Sequence, residues 1–414
     1  MGIDIQNPRL MWNCEGGITQ TAYRIIAISN EKTVWDSGKV SSSSMRAEYP
    51  RKPKSRERID WNVTLWDESD REGESSATAF FETGLLSASD FSAKWISGNY
   101  RVNKKTRYPV DCFKKRFNVK NVVKARLYIT ACGLYEAKIN GKRVGNFILA
   151  PGHTDYTKRI QLQTYDVTDL LSDGKNEITV ELADGWYRGS CGAWGLKNQY
   201  GTQTKLLAQL EITDKSGNRS VIGTNKTWQW SDDGEIRFAD NKDGETVEAW
   251  RKPSYNGFAK ETKFDILPVS SNNVPVTEHE RLSVKNVITT PNGEKVLDFG
   301  QNIAGYISFA VTAKKGQKIK LRFGEMFDEN GEFTQKNFQC ANKKRTRVTP
   351  LQKIEYYCKD GLNEYKTKFA IFGFQYVLIE TDVEWVNENF TAIAVYSDME
   401  ETLSFNSSNG LLNK

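Results

Sequence analysis

Two histidines, His153 and His279, are all that the 414 residues contain. A site built on three imidazole ligands is therefore excluded, and no HExxH zinc signature occurs. GxxxxGK[ST] and GxSxG are both missing, which removes the phosphate-cradling loop and the nucleophile elbow. Gly189, Gly192 and Gly195 have GxxGxxG spacing but lie outside a strand-to-helix context, so they replace neither. No apolar run reaches the roughly 18 residues that a membrane helix needs. Charge of one sign is scarce too: 58 Lys+Arg against 52 Asp+Glu leave +6 spread over the whole chain, far from the concentrated basicity of a nucleic-acid binder. The basic stretch Arg51, Lys52, Lys54, Arg56 and Arg58 has no interleaved aromatic platform and reads as a solvated loop. Six cysteines, Cys14, Cys112, Cys132, Cys191, Cys340 and Cys358, stand far apart without CxxC spacing and are expected as free thiols. Met1–Gln6 shows neither a basic n-region nor an apolar h-region, which predicts a cytoplasmic protein unless a leader was removed.

What the sequence does contain favours pleated sheets and tight turns: 11 Trp, 17 Tyr and 20 Phe beside 31 Gly. An all-β chain follows, and at roughly 150 residues per domain its length suggests two to four domains. Residues 1–95 hold short strand patterns, Tyr23–Ile28 and Ala77–Phe81 among them, that suit a small two-sheet sandwich. In residues 96–274, Ala125, Leu127, Ile129 and Ala131 alternate with Lys124, Arg126, Tyr128 and Thr130, as in a half-buried strand. Asn140-Gly141 predicts a type I′ hairpin, Tyr165–Leu171 a capped helical turn and Glu177–Leu182 another strand, the pattern of a jelly roll. Residues 112–120 read as an isolated strand that needs a foreign sheet. They are expected to join the next domain, which would make the jelly roll an insertion. Residues 275–402 give a third sandwich with strands at Val296–Phe299, Tyr306–Val311, Ile319–Phe323 and Phe369–Ile379, the last apolar on both faces. Residues 403–414 look like the first turns of a helix.

One polar and aromatic cluster stands out: Asp184-Gly185-Trp186-Tyr187-Arg188-Gly189, then Trp194, Asp240, Asp243-Gly244-Glu245 and Trp250. Tryptophan faces stack on sugar rings, and carboxylates hold hydroxyls or a hard cation. Asp184, Trp186, Trp194, Asp243 and Glu245 are the candidate sugar-binding residues, with Asp184, Asp243 and Glu245 the candidate calcium ligands. A purely structural role, with aromatics filling core and aspartates capping turns, is the alternative. Glycosidase chemistry needs two positioned carboxylates, and 52 acidic residues give no means of choosing them by spacing.

Several segments resemble the bacterial α-L-rhamnosidases of glycoside hydrolase family 78. Gln20–Ile25, Trp35–Gly38 and Phe81–Leu86 are similar to its fibronectin III-like first domain. Gly133–Glu136, Ile139–Gly145, Tyr165–Thr168 and Asp184–Gly189 resemble its carbohydrate-binding jelly roll, and Asp298–Asn302, Gly305-Tyr306 and Gly324-Glu325 its concanavalin-like sandwich. The resemblance implies terminal α-L-rhamnosides as substrates, hydrolysed with inversion in a helical (α/α)6 barrel that follows these sandwiches, whose first helix Phe405–Asn409 resembles. It also implies that this stretch is an accessory part without catalytic residues, with its own C-terminal catalytic domain and a rhamnose-containing glycoside as partners and calcium as a cofactor of the jelly roll. A stand-alone lectin or adhesin and a structural scaffold are the competing readings. An apolar face for the barrel, with Phe374, Tyr376, Trp385 and Phe405, is expected and could drive oligomer formation.

Overall fold

The computed structural model describes residues 1–341 and 348–413. Strands dominate, and the one α-helix among the described residues is the single turn Gly185–Arg188. None of the helices is long and apolar enough to cross a membrane.

The first sandwich pairs Ala22–Ser29 with Arg58–Trp66 and closes on Ile25, Ile59, Trp61 and Phe81. Its exit segment lies over the middle sandwich. That sandwich has a sheet centred on Val122–Cys132 and Lys205–Asp214, facing a second of Leu134–Ile139, Gly174–Ala183 and Asp111–Val119. Asn140 and Gly141 turn the predicted hairpin with φ of 50° and 79°, values that Asn and Gly tolerate. Tyr165–Leu171 is not one capped turn. It ends the strand Gln161–Asp166, and Asp166 Oδ1 accepts from the backbone and hydroxyl of Thr168, where the short 3-10 turn Thr168–Leu170 begins without a side-chain cap.

Three expectations need correction. Residues 112–120 do not leave the middle domain: Asp111–Val119 lies between Gly174–Ala183 and Gln229–Ser231 in the middle domain's own sheet. The traffic runs the other way. Ile236–Asp240 and Gly244–Glu248 form a hairpin that joins the ten-stranded sheet of the third sandwich, where Gly244–Glu248 runs parallel to Lys353–Tyr357. Gly244 is required there, since a Cβ at its φ of +107° would stand 1.8 Å from the carbonyl oxygen of Lys353. Secondly, the strand through Ala125 is buried on both faces, because Arg126, Tyr128 and Thr130 lie under the exit of the first sandwich and its neighbouring strand.

Thirdly, three of the four side chains expected on an apolar face for the barrel pack within their own sandwich. Phe374 is fully buried, Trp385 stacks edge-on with Phe390 and Tyr376 with Phe327 inside their own sandwich, and of the four only Phe405 is largely exposed. Phe372–Thr381 is apolar on both faces because it is a central strand between Lys318–Gly324 and Lys295–Ala313. The latter is one continuous strand, where the sequence suggested two, with a register shift between Asp298 and Ile303. Near the end, Leu412 closes a turn on Asn409 without forming a helix; Lys414 lies outside the described residues.

All six cysteines are free; Cys14 is exposed, whereas Cys112, Cys132 and Cys358 are buried. Burial pushes the thiol of Cys132 up to about 12 and that of Cys358 to about 11. With a thiol-disulfide reagent at pH 8 the native chain should show a fast phase that Cys14→Ser removes, and these three buried thiols should react only after denaturation.

Candidate functional site: the cleft between the middle and third sandwiches

The strand Gly174–Ala183 runs into the turn Gly185–Arg188, and the turn sends its side chains in opposite directions. Tyr187 points into the interior against Tyr156. Arg188 folds back on Asp184, with Nε donating to Oδ1 at 2.7 Å, and also donates to the Tyr100 hydroxyl. Burial pushes the Asp184 carboxyl above its ordinary value, against the pull of Arg188. Trp186 remains half-buried and faces a cleft of about 910 Å³. His153 lies across its ring, centroids 5.2 Å apart and planes 31° apart. Burial lowers the pKa of His153, favouring the uncharged imidazole.

The opposite lining comes from the donated hairpin, from residues 272–276 that lead into the third sandwich, and from Ile371 and Met399. Asp240 fixes the hairpin's turn. One of its carboxylate oxygens accepts from the backbone of Lys242 and Asp243, the other from the backbone and hydroxyl of Ser190. Asn241 and Lys242 are thereby held at the cleft, Asn241 only 6% exposed and its Oδ1 without a protein partner.

Of the five candidate residues, Trp186 alone lines the cleft. Asp184 is engaged by Arg188. Trp194 is 65% exposed on the loop closed by the Cys191–Leu196 bridge. Asp243 accepts from Arg107 at 2.6 Å, Thr349 at 2.9 Å and the Leu351 backbone at 3.2 Å. Glu245 accepts from the Tyr365 hydroxyl and from the backbone of Lys368 and Phe369 at 2.6, 2.9 and 2.6 Å. Asp184, Asp243 and Glu245 therefore do not fit a calcium ion: each is engaged by donors of the protein, and among the described residues no three acidic, histidine or cysteine side chains come together around one point. Sequence reasoning missed His153, Asn241 and Lys242. Asn241-Lys242 lies directly between the flagged Asp240 and Asp243, and His153 is one of two histidines, so position and rarity were the available signals.

Comparison with known proteins places this geometry. Residues 1–87 match a family model of a Rha78A-like N-terminal immunoglobulin domain, residues 120–290 one of the α-L-rhamnosidase N-terminal domain and residues 288–396 one of the bacterial α-L-rhamnosidase concanavalin-like domain. An α-L-rhamnosidase of Formosa agariphila is 34% identical over 456 residues, covering 100% of this chain and 47% of the relative. The crystal structure of a native α-L-rhamnosidase from Aspergillus terreus superposes with a TM-score of 0.88 at 31% identity, over 100% of this chain and 49% of that one. A Streptomyces avermitilis α-L-rhamnosidase complexed with L-rhamnose shares the fold, with a TM-score of 0.89 at 24% identity over 100% of this chain and 57% of that one. The chain thus spans about half the length of the relatives it matches. With matches in all three sandwiches, it belongs to the α-L-rhamnosidase family, glycoside hydrolase family 78, and carries that family's N-terminal β-sandwich domains.

Proposed function

We propose that this chain is the accessory, non-catalytic portion of an α-L-rhamnosidase that removes terminal α-L-rhamnosyl groups with inversion. One observation carries the reading: the cleft beside Trp186, about 910 Å³, has no aspartate or glutamate in its lining. Inversion needs an acid and a base carboxyl about 6.5–9.5 Å apart with water between them. The purified chain is expected to leave an aryl α-L-rhamnoside unhydrolysed. Turnover that vanishes when one of the chain's own carboxylates is replaced would refute this reading.

Trp186 favours a second role for the same cleft. Its ring at the cleft and the tilted ring of His153 beside it form a platform for the apolar face of a deoxyhexose. L-Rhamnose should bind weakly, since a monosaccharide buries little surface. Calorimetric titration is expected to show heat that Trp186→Ala abolishes and that EDTA leaves unchanged. Undiminished heat in Trp186→Ala would remove the cleft from consideration.

A further inference from the structure

Lys205 opens the strand Lys205–Asp214 of the middle sandwich, directly opposite Cys132 on Val122–Cys132. Its ammonium lies beside the cluster in which Tyr187 and Phe264 pack with Trp95 and Tyr156. Nζ donates to the Tyr187 hydroxyl at 3.0 Å and stands 5.2 Å from that ring's centre, so it lies off the rim of the ring rather than over its face. The ring's quadrupole therefore gives the charge little support. Tyr187 is held where it is: it is 3% exposed, and a Cβ at Gly201 would stand 2.3 Å from its hydroxyl. Lys368, the enclosed lysine of the third sandwich, pairs with both Glu181 and Glu235. Lys205 has no such help. Among the described residues no carboxylate pairs with it, and the titratable groups facing it are the Tyr187 phenol and the Cys132 thiol, both of which burial keeps uncharged. An ammonium withdrawn from water without a counter-charge is disfavoured relative to the free amine, and burial accordingly lowers the pKa of Lys205. The side chain is still partly exposed, and among the described residues Tyr187 is the one acceptor for its three donors. The other two face solvent, which leaves the nitrogen open to a small reagent.

We propose that Lys205 is a modification site, an amine that adds to small uncharged carbonyl electrophiles, isocyanic acid among them, ahead of the surface lysines. The free amine forms an N–C bond to the carbon of HN=C=O, the C=N π bond breaks, and one amine proton passes to the isocyanate nitrogen, giving a urea with no leaving group. The product suits its place better than the ammonium does, since it carries no charge and keeps an N–H for the Tyr187 hydroxyl.

Limiting potassium cyanate on the full chain at about pH 7.5, followed by digestion and peptide mass spectrometry, tests it. Below both pKa values each unit of lowering gives about ten times more free amine, and the weaker base gives back only part of that gain in nucleophilicity. Lys205 is expected to be carbamoylated at least about threefold faster than the exposed Lys158 and Lys215, and this lead should shrink at about pH 10.5, where every lysine is largely free amine. In guanidinium chloride the lead should vanish, because the enclosure is gone. Lys205 reacting no faster than Lys158 and Lys215 in the native chain would overturn the proposal. A lead that survives denaturation would overturn it too, since the advantage would then belong to the local peptide and not to the enclosed amine.

Discussion

Glu245→Ala is expected to destabilise the third sandwich by about 3–5 kcal/mol, moving its urea midpoint down by roughly 2 M. Glu245 is 1% exposed, and its removal leaves the Tyr365 hydroxyl and the backbone N–H groups of Lys368 and Phe369 without an acceptor. Each unsatisfied buried donor costs about 1–3 kcal/mol, and relaxation keeps the total below the simple sum. Lys368 extends the damage, because its ammonium binds Glu181 at 2.8 Å and Glu235 at 3.2 Å across the junction of the sandwiches. Glu245→Gln, which keeps a carbonyl acceptor, should recover much of the loss. If Glu245→Ala instead melted like the parent chain but lost a calcium-dependent gain in stability, the carboxylate would be a metal ligand after all.

Glu82→Ala should release the first sandwich from the middle one, at a cost of about 3 kcal/mol. Glu82 is 1% exposed; its two oxygens accept from Arg126 Nε at 2.8 Å and Nη2 at 3.1 Å, and Lys124 lies 3.1 Å away. Nearby contacts depend on the same seating: the Ser270 backbone donates to Asp4 at 2.8 Å, and Arg56 bridges Asp90 and Glu211. Limited proteolysis is the readout, with new cleavage expected in the segment that leaves the first sandwich. The effect should depend on pH. Burial raises the Glu82 carboxyl, but the hydrogen bonds and charges of Arg126 and Lys124 outweigh it and hold the net value below the ordinary range. A depressed carboxyl stabilises the folded state above its unfolded pKa of about 4.3, and that contribution is lost as pH falls through the folded value. The difference between the parent chain and Glu82→Gln should therefore be greatest near neutrality and shrink below about pH 4. A constant difference from pH 7 to pH 3 would show that the ion pair does not hold this junction.

Local pattern made much of this fold legible. The strand through Ala125 and the Asn140-Gly141 turn follow from a few adjacent residues, and both appear where the sequence puts them. Failures came where distant strands meet. Nothing within Gly244–Glu248 signals that its parallel partner is Lys353–Tyr357, and nothing within Asp111–Val119 distinguishes one sheet from another. The polar side of Val122–Cys132 looked solvated because a strand's own sequence does not reveal what covers it. At the site, carboxylate-rich segments suggested ligands, but these carboxylates serve internal donors, and the cleft is shaped by residues unremarkable in isolation, Asn241, Ile371 and Met399.

The hairpin given to the third sandwich sets a schedule for synthesis. Gly244–Glu248 leaves the ribosome roughly a hundred residues before Lys353–Tyr357, so at about 5–20 residues per second its outer edge waits about 5–20 s for its partner. An open edge is a template for wrong pairing, and two glutamates in five residues, Glu245 and Glu248, repel such partners while it waits. A fragment ended between the middle and third sandwiches would make that wait permanent. Expressing the middle sandwich alone calls for a strategy that removes or covers the hairpin.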